Sequence, residues 1–253
     1  MTSTTERTLM ELSVQMYSVR DALAADFQGT VARLVDLSLT HAEPYRLLEY
    51  RDELVRARQE HAIDFPSAHQ SFLGDVDFAQ VLEAAQAVGV KYLVDPFWNP
   101  EDWTDAAKVR ALAARLNERA AAAEGTGVRV GYHNHHFELA SQLEGRSALE
   151  LFAEELDPQV ILEIDTYWAV VGGADVPALL GTLGERVQLV HLKDGDLSED
   201  PAGQLPVGEG NVPLAQILEA SSQVAYGVIE FDEYRGDMFE GIAASLTRLR
   251  AAA

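Results

Sequence analysis

The stretch Val128-Arg129-Val130-Gly131-Tyr132-His133-Asn134-His135-His136 decides how the rest of the chain is read. Its first half is β-branched and aromatic, as a buried strand is. Its second half is rich in groups that bind metals or move protons. Upstream lies Ala106–Ala123, an Ala-rich run with apolar residues at three- and four-residue intervals, opened by Asp105 and stopped by Gly125–Gly127. Downstream, Ser147 opens a second helical run, Ala148–Glu155. A strand set between two helices is one βα unit, and the same unit recurs in both directions.

Further strands are expected at Leu12–Tyr17, Thr40–Glu43, Ile63–Ser67, Tyr92–Asp95, Val160–Asp165, Val187–Leu192 and Gly227–Phe231. Helices are expected at Phe27–Leu37, Tyr45–Gln59, Phe78–Val88, Val176–Leu183, Leu214–Ala220 and Met238–Arg250, with Gly89 as a stop. Eight strands alternating with eight helices imply a parallel sheet with helical crossovers. A length of 253 residues suits one closed (β/α)8 barrel. The first strand runs into Tyr17-Ser18-Val19-Arg20-Asp21 without the Gly-rich phosphate loop of a doubly wound sheet. The expected architecture is therefore a single (β/α)8 TIM barrel over residues 1–253, with residues 1–9 a flexible N-terminal extension.

Composition narrows the function. Apolar residues make up 47% and charged residues 24%, which suits a large core. No apolar run approaches the roughly 18–20 residues that cross a bilayer. Met1 to Leu9 is polar, so no signal peptide is visible, and a cytoplasmic location is expected. Absence of Cys removes disulfides, thiolate zinc sites and Cys nucleophiles. The net charge of −22 and the lack of a Lys/Arg cluster argue against nucleic acid and anionic membranes, leaving a small neutral or cationic substrate. A homo-oligomer is compatible with the sequence, and Trp98 and Trp103 are candidates for core packing, for a lid or for such a contact.

In a barrel, the last residues of each strand build the active face. Six of the seven His residues (41, 69, 133, 135, 136 and 191) fall at or just beyond expected strand ends. Side-chain alternation puts His133 and His135 on one parity, Glu163 and Asp165 on another shared parity, and Glu230 with Asp232 on a third. His191 closes the apolar run Val187-Gln188-Leu189-Val190. His133, Asp165, His191 and Glu230 together make a mixed nitrogen and oxygen site for one divalent ion, Mn²⁺, Co²⁺, Zn²⁺ or Mg²⁺. Glu163 reads better as a buried partner that orients a histidine than as a ligand, and His136, off the inward parity, as exposed.

At these residues the chain resembles the xylose isomerase-like TIM-barrel superfamily of sugar phosphate isomerases/epimerases. The resemblance runs through Val14-Gln15-Met16-Tyr17-Ser18-Val19-Arg20, Pro66-Ser67-Ala68-His69 and Tyr132-His133-Asn134-His135-His136-Phe137-Glu138. It continues through Glu163-Ile164-Asp165-Thr166-Tyr167-Trp168, Val190-His191-Leu192-Lys193-Asp194, Gly208-Glu209-Gly210 and Glu230-Phe231-Asp232. It implies one divalent metal held by residues of strands five to eight, typically Glu, Asp, His and Glu. Asp165, His191 and Glu230 map onto the last three, and His133 stands where many relatives have Glu. His136 likewise replaces the Asp of the Tyr-His-Asn-His-Asp-Phe-Glu signature.

The reaction expected is proton transfer beside a carbonyl, through an enediolate, giving isomerisation or epimerisation of a sugar, keto sugar or cyclitol. Glu230 or His135 would take the proton, and the other, or Glu43, would return it. Lys193 would hydrogen-bond the developing oxyanion or pair with Asp194. Tyr17 and Trp168 would pack on the sugar ring, with His69 also at the substrate. Three rival readings are a lyase or dehydratase acting on a keto sugar or inosose, a DNA-repair barrel of the endonuclease IV type, and a non-catalytic sugar-binding barrel or partner subunit. The acidity opposes the DNA reading. An occluded barrel mouth without metal would favour the non-catalytic one.

Overall fold

The computed structural model describes residues 10–252, so the extension expected over residues 1–9 lies outside the described residues. A seven-stranded parallel sheet forms the centre: β1 (Glu11–Val14), β2 (Ser67–His69), β3 (Tyr92–Asp95), β4 (Arg129–His133), β5 (Ile161–Asp165), β6 (Val187–Leu192) and β7 (Tyr226–Ile229). Its order is β1-β7-β6-β5-β4-β3-β2. The segment expected as the second strand closes the ring between β1 and β2 by two isolated parallel bridges, Gln15 with Glu43 and His41 with Asp64. Four backbone bonds hold it, among them Glu43 N–H to the Val14 carbonyl at 2.8 Å and Ala42 N–H to the Asp64 carbonyl at 3.0 Å. It stays this short because Pro44 has no N–H to extend a ladder. The barrel is the expected one, with seven laddered strands and a bridging eighth.

Helices cover the outside. Asp105 caps Ala106–Ala122 by accepting from Ala107 N at 2.8 Å, and Ser147 forms a capping box with Glu150 ahead of Ala148–Glu154. Strand side chains alternate between two apolar regions. Val130, Tyr132, Leu162, Ile164, Val190 and Ile229 join the core beneath the helices. Val94, Ile161, Leu189 and Val228 form a separate cluster, with Tyr92 and Tyr226 packed against it. This second cluster plugs the barrel interior, in the manner of the layered side chains that fill such barrels. Trp103 belongs to the outer core, fully buried against Tyr132 and Phe152. That excludes it as a lid.

Three sequence expectations shift here. Strand β1 ends at Val14, and Tyr17 lies in the 3-10 turn Met16–Val19. The expected third strand, Ile63–Ser67, ladders with β3 only from Ser67 to His69, after Pro66. His41 lies low in the barrel, 3.3 Å from Glu11 and edge-on to Tyr226, away from the other strand-end histidines.

Gly131 sets the spacing between β4 and β5. A Cβ there would lie 2.5 Å from both the Ile161 carbonyl oxygen and its Cδ1. Gly131→Ala is therefore expected to lower stability by about 1–3 kcal/mol, as overpacking does. Urea unfolding of the variant against wild type checks this, and an unchanged midpoint would show that the strands part freely.

Candidate active site

The upper layer of the barrel interior is polar. Glu163, from the middle of β5, is fully buried, and three imidazoles surround its Oε2. His69 Nε2 lies at 2.5 Å, His133 Nδ1 at 3.0 Å and His191 Nε2 at 3.2 Å. Beside it, Glu43 Oε1 meets His191 Nε2 at 2.8 Å and accepts from Gln15 Nε2 at 2.8 Å. Burial works against the Glu163 charge, but the imidazoles outweigh it and hold its pKa well below the carboxylate range. Glu43 goes the other way, raised first by burial and then by the neighbouring Glu163 charge.

The same two histidines turn their second nitrogens toward the mouth. His133 Nε2 is 3.8 Å from Asp165 Oδ2, and His191 Nδ1 is 2.7 Å from Glu230 Oε2. One nitrogen of each ring thus meets the buried carboxylates and the other meets the outer pair. Outer-sphere acids orient metal-binding histidines in this way. One ligand atom from each of His133, Asp165, His191 and Glu230 lies within 4.8 Å of the others, and all four residues are buried. His69, His133, Glu163 and His191 satisfy the same criterion, but there the carboxylate is already engaged by all three rings. The outer four fit a divalent ion better. Asp165 Oδ2 is buried with no aligned hydrogen bond, and two imidazoles with two carboxylates are a donor set that such ions accept.

Lys193, just past β6, puts its ammonium 2.9 Å from Asp165 Oδ2, 2.7 Å from Glu230 Oε2 and 2.8 Å from Asp232 Oδ2. A positive charge already sits comfortably among these acids. Burial opposes the charge on Lys193, yet Asp165, Asp232 and Glu230 raise its pKa well above the usual lysine value. Glu230 is correspondingly held well below its usual range, by Lys193 and His191 against the effect of burial. Asp165 rises to about 6, chiefly through burial. His191 is raised well above its usual value because Glu163 and Glu230 outweigh burial, whereas burial and the His191 charge push His133 well down.

A pairing of Lys193 with Asp194 is not what forms. Successive residues diverge, and Asp194 accepts backbone N–H bonds from Gly195 (2.9 Å), Gly208 (2.8 Å) and Val212 (3.0 Å). Asp232 completes the Lys193 grip, held in turn by Trp168 Nε1 at 3.1 Å and Gln204 Nε2 at 2.7 Å. Trp168 is buried, its indole directed to Asp232 and its ring 5.9 Å from the Lys193 ammonium, and it is absent from the cavity wall.

A cavity of about 340 Å³ opens above the cluster. Tyr17, His69, His133, His135 and Glu230 of the expected residues line it, and Glu43 lies deeper, fully buried. Tyr45, Arg46 and Phe97 also line it. Sequence reasoning passed over these three, since Tyr45 and Arg46 read as a helix start, and Asp95-Pro96-Phe97-Trp98-Asn99-Pro100 matches no strand-end pattern. Trp98 is half-buried, its indole N–H bonded to Asp102 at 3.0 Å. His135 faces the cavity with a buried, unpartnered Nδ1, and burial followed by the Lys193 charge lowers its pKa to about 4. Its loop is set by Glu138, which accepts from His135 N at 2.8 Å and from Tyr132 OH at 2.9 Å. Sequence gave no signal for Glu138 beyond its place in the signature.

Burial raises Glu138 from 4.5 to about 8. Between those values the folded protein holds a proton that the unfolded chain has lost. Its contribution to stability therefore falls as pH rises from about 4.5 to about 8 and is level above that. Glu138→Gln is expected to flatten this part of the stability profile, read as urea midpoints from about pH 5 to about pH 8.5. Equal slopes in both proteins would show that Glu138 is already ionised at neutral pH.

A family model described as xylose isomerase-like TIM barrel matches residues 35–251. A sugar phosphate isomerase/epimerase from Parabacteroides distasonis superposes with a TM-score of 0.82 at 19% identity, over 96% of this chain and 94% of that one. The IOLI protein with a bound zinc atom superposes with a TM-score of 0.75 at 16% identity, over 96% and 98%. At such identities the likeness shows the fold. An inosose dehydratase from Clostridium beijerinckii is 24% identical over 135 residues, 50% of this chain and 42% of its own length. The matched stretch is thus less than half of that relative. Among the described residues, no helix is long and apolar enough to cross a membrane.

Proposed function

Because the chain belongs to the xylose isomerase-like TIM barrel family, we propose that it is a divalent-metal-dependent isomerase or epimerase of a sugar, keto sugar or cyclitol. The observation that carries this is the split orientation of His133 and His191, each with one nitrogen on a buried carboxylate and the other toward Asp165 and Glu230. His133, Asp165, His191 and Glu230 would hold one Mn²⁺, Co²⁺, Zn²⁺ or Mg²⁺. Such an ion supplies Lewis acidity to a carbonyl and its neighbouring hydroxyl.

The residues around it divide the proton work. Glu230 lines the cavity and, being held ionised by Lys193 and His191, is a base at neutral pH. It takes the proton from the carbon beside the carbonyl. His135, neutral there, takes up the proton of the neighbouring hydroxyl and, as imidazolium, returns one to carbon from the cavity wall, while protonated Glu230 gives its own back to the substrate oxygen. Return to the opposite face of the same carbon gives an epimer, and return to the former carbonyl carbon gives an isomer. Lys193 is buried outside the cavity wall with its ammonium on Asp165, Glu230 and Asp232, so it acts on the reaction through the charge of Glu230 and not by touching the substrate oxygen. Glu43, fully buried against His191, acts on this chemistry only through that ring's orientation.

The inosose dehydratase relative favours a second reading. The same proton removal followed by loss of a neighbouring hydroxyl would make the enzyme a lyase. The open cavity weighs against a non-catalytic barrel.

Metal content after chelator-free purification is expected to be about one ion per wild-type chain, and none in a His191→Ala, Glu230→Ala double variant. In deuterated water, wild type should exchange a carbon-bound hydrogen of a keto sugar or inosose, and Glu230→Gln should slow this by about 10²-fold or more. A wild type that takes up no metal even from Mn²⁺, or an unchanged rate in Glu230→Gln, overturns the reading. Product analysis on the same samples separates water loss from simple isomerisation.

A further inference from the structure

Lys193 stands among three carboxylates and does not treat them alike. Its ammonium is 2.9 Å from Asp165 Oδ2 and 2.7 Å from Glu230 Oε2. These are the oxygens that face His133 Nε2 and His191 Nδ1. Among the described residues, however, its aligned hydrogen bonds go to Asp232 alone, at 3.0 Å to Oδ1 and 2.8 Å to Oδ2. Two carboxylates hold the ammonium by charge and closeness, and the third by direction as well.

Asp232 is built to keep such a partner. Trp168 Nε1 donates to its Oδ2 at 3.1 Å and Gln204 Nε2 at 2.7 Å, while its own N–H donates to Gln204 Oε1 at 2.7 Å. The carboxylate is therefore fixed without help from the lysine. Its side chain is 25% exposed and lines the cavity, whereas that of Lys193 is 1% exposed. The Trp168 ring, 5.9 Å from the ammonium, flanks the same place. An ammonium that shifts toward Asp232 keeps both aligned bonds and gives up only the two unaligned contacts.

That shift becomes necessary once Asp165 Oδ2 and Glu230 Oε2 bind a divalent ion. Bonds from such ions to carboxylate oxygen are about 2.0–2.2 Å long. An ammonium touching the same oxygen is then a like charge within about 5 Å, in an interior that screens poorly. The charges also sort into pairs. Three ionised carboxylates beside one ammonium leave two negative charges in excess. A divalent ion balances Asp165 and Glu230 and leaves Asp232 to Lys193.

We propose that Lys193 is a resident counter-cation: it competes with the divalent ion for Asp165 and Glu230, and Asp232 takes it over when the ion binds. Lys193 thereby lowers the affinity for the ion, and Asp232 restores part of it. The proposal rests on the reading of His133, Asp165, His191 and Glu230 as the ligands.

Calorimetric titration with Mn²⁺ of wild type, Lys193→Met, Asp232→Asn and the double variant tests it. Lys193→Met is expected to bind about tenfold more tightly than wild type, since the competitor is gone. Asp232→Asn should bind about tenfold more weakly, because the displaced ammonium has lost its holder. In the Lys193→Met background the same change should weaken binding by about threefold or less. A lysine that only props the carboxylates would reverse the first result. Plain attraction between Asp232 and the ion would give Asp232→Asn the same effect in both backgrounds. Wild type itself supplies a measurement that no folding defect can disturb. Trace reductive methylation, read at Lys193 by peptide mass spectrometry, is expected to run several-fold faster with Mn²⁺ than without, as the amine moves to the cavity side. Lys193→Met binding no more tightly than wild type, equal effects of Asp232→Asn in the two backgrounds, or unchanged labelling overturns the proposal and leaves the metal reading standing. No uptake of Mn²⁺ by wild type and Lys193→Met alike overturns both.

Discussion

Everything at the mouth of this barrel depends on one buried carboxylate oxygen, Glu163 Oε2, and the three imidazole nitrogens around it. An isolated carboxylate at this depth would be heavily penalised by lost hydration. Hydrogen bonds from His69 and His133, with His191 Nε2 close by and bonded to Glu43, remove most of that penalty and fix the rings in return. With His133 Nδ1 and His191 Nε2 committed downward, their other nitrogens have only one direction left, toward Asp165 and Glu230. The outer group is therefore a consequence of the inner one.

The layers below and beside it make this arrangement strong. Val94, Ile161, Leu189 and Val228 close the barrel beneath the polar layer and keep water out, so that each charge pair acts in a poorly screened interior. Gly131 lets β4 and β5 approach closely enough for His133 and Glu163 to stand side by side in register. On the outer side, Lys193 balances three carboxylates, and Asp232 fixes its position through bonds to Trp168 and Gln204. Charge is matched locally, acid against cation, although the chain as a whole is strongly acidic.

Much of this could be read from the sequence, because it follows from period and parity. The alternation of short β-rich runs with helical ones gave the barrel; side-chain parity put Glu163 and Asp165 on one inward face, and position along the strand set Glu163 deep among the rings and Asp165 at the mouth. Legibility ended where reach and direction mattered. Lys193 and Asp194 are neighbours in sequence but serve a charge cluster and a loop respectively. Trp168 reads as a sugar platform, yet its indole N–H finds a carboxylate before any ligand can. His41 has the spacing of a strand-end residue, but its strand is only a pair of bridges, and the ring is left low in the barrel. Tyr45 and Phe97 give no pattern at all, since a turn's aim toward a cavity leaves no periodicity behind.

Asp194 binds Gly195, Gly208 and Val212 by their backbone N–H groups, drawing the loop after β6 into place from a single carboxylate. Backbone N–H groups are the same for every residue but proline, so this anchoring is indifferent to most side chains between its contacts. Two positions are exceptions. Gly208 has a φ of +87°, and a Cβ on Gly210 would collide with the Asp194 carboxylate and the Gly195 backbone. Mutational tolerance along this loop is accordingly uneven. Its exposed residues are free to drift over generations while Asp194, Gly208 and Gly210 stay locked together, and a change at any one of the three is deleterious whatever the loop's sequence elsewhere.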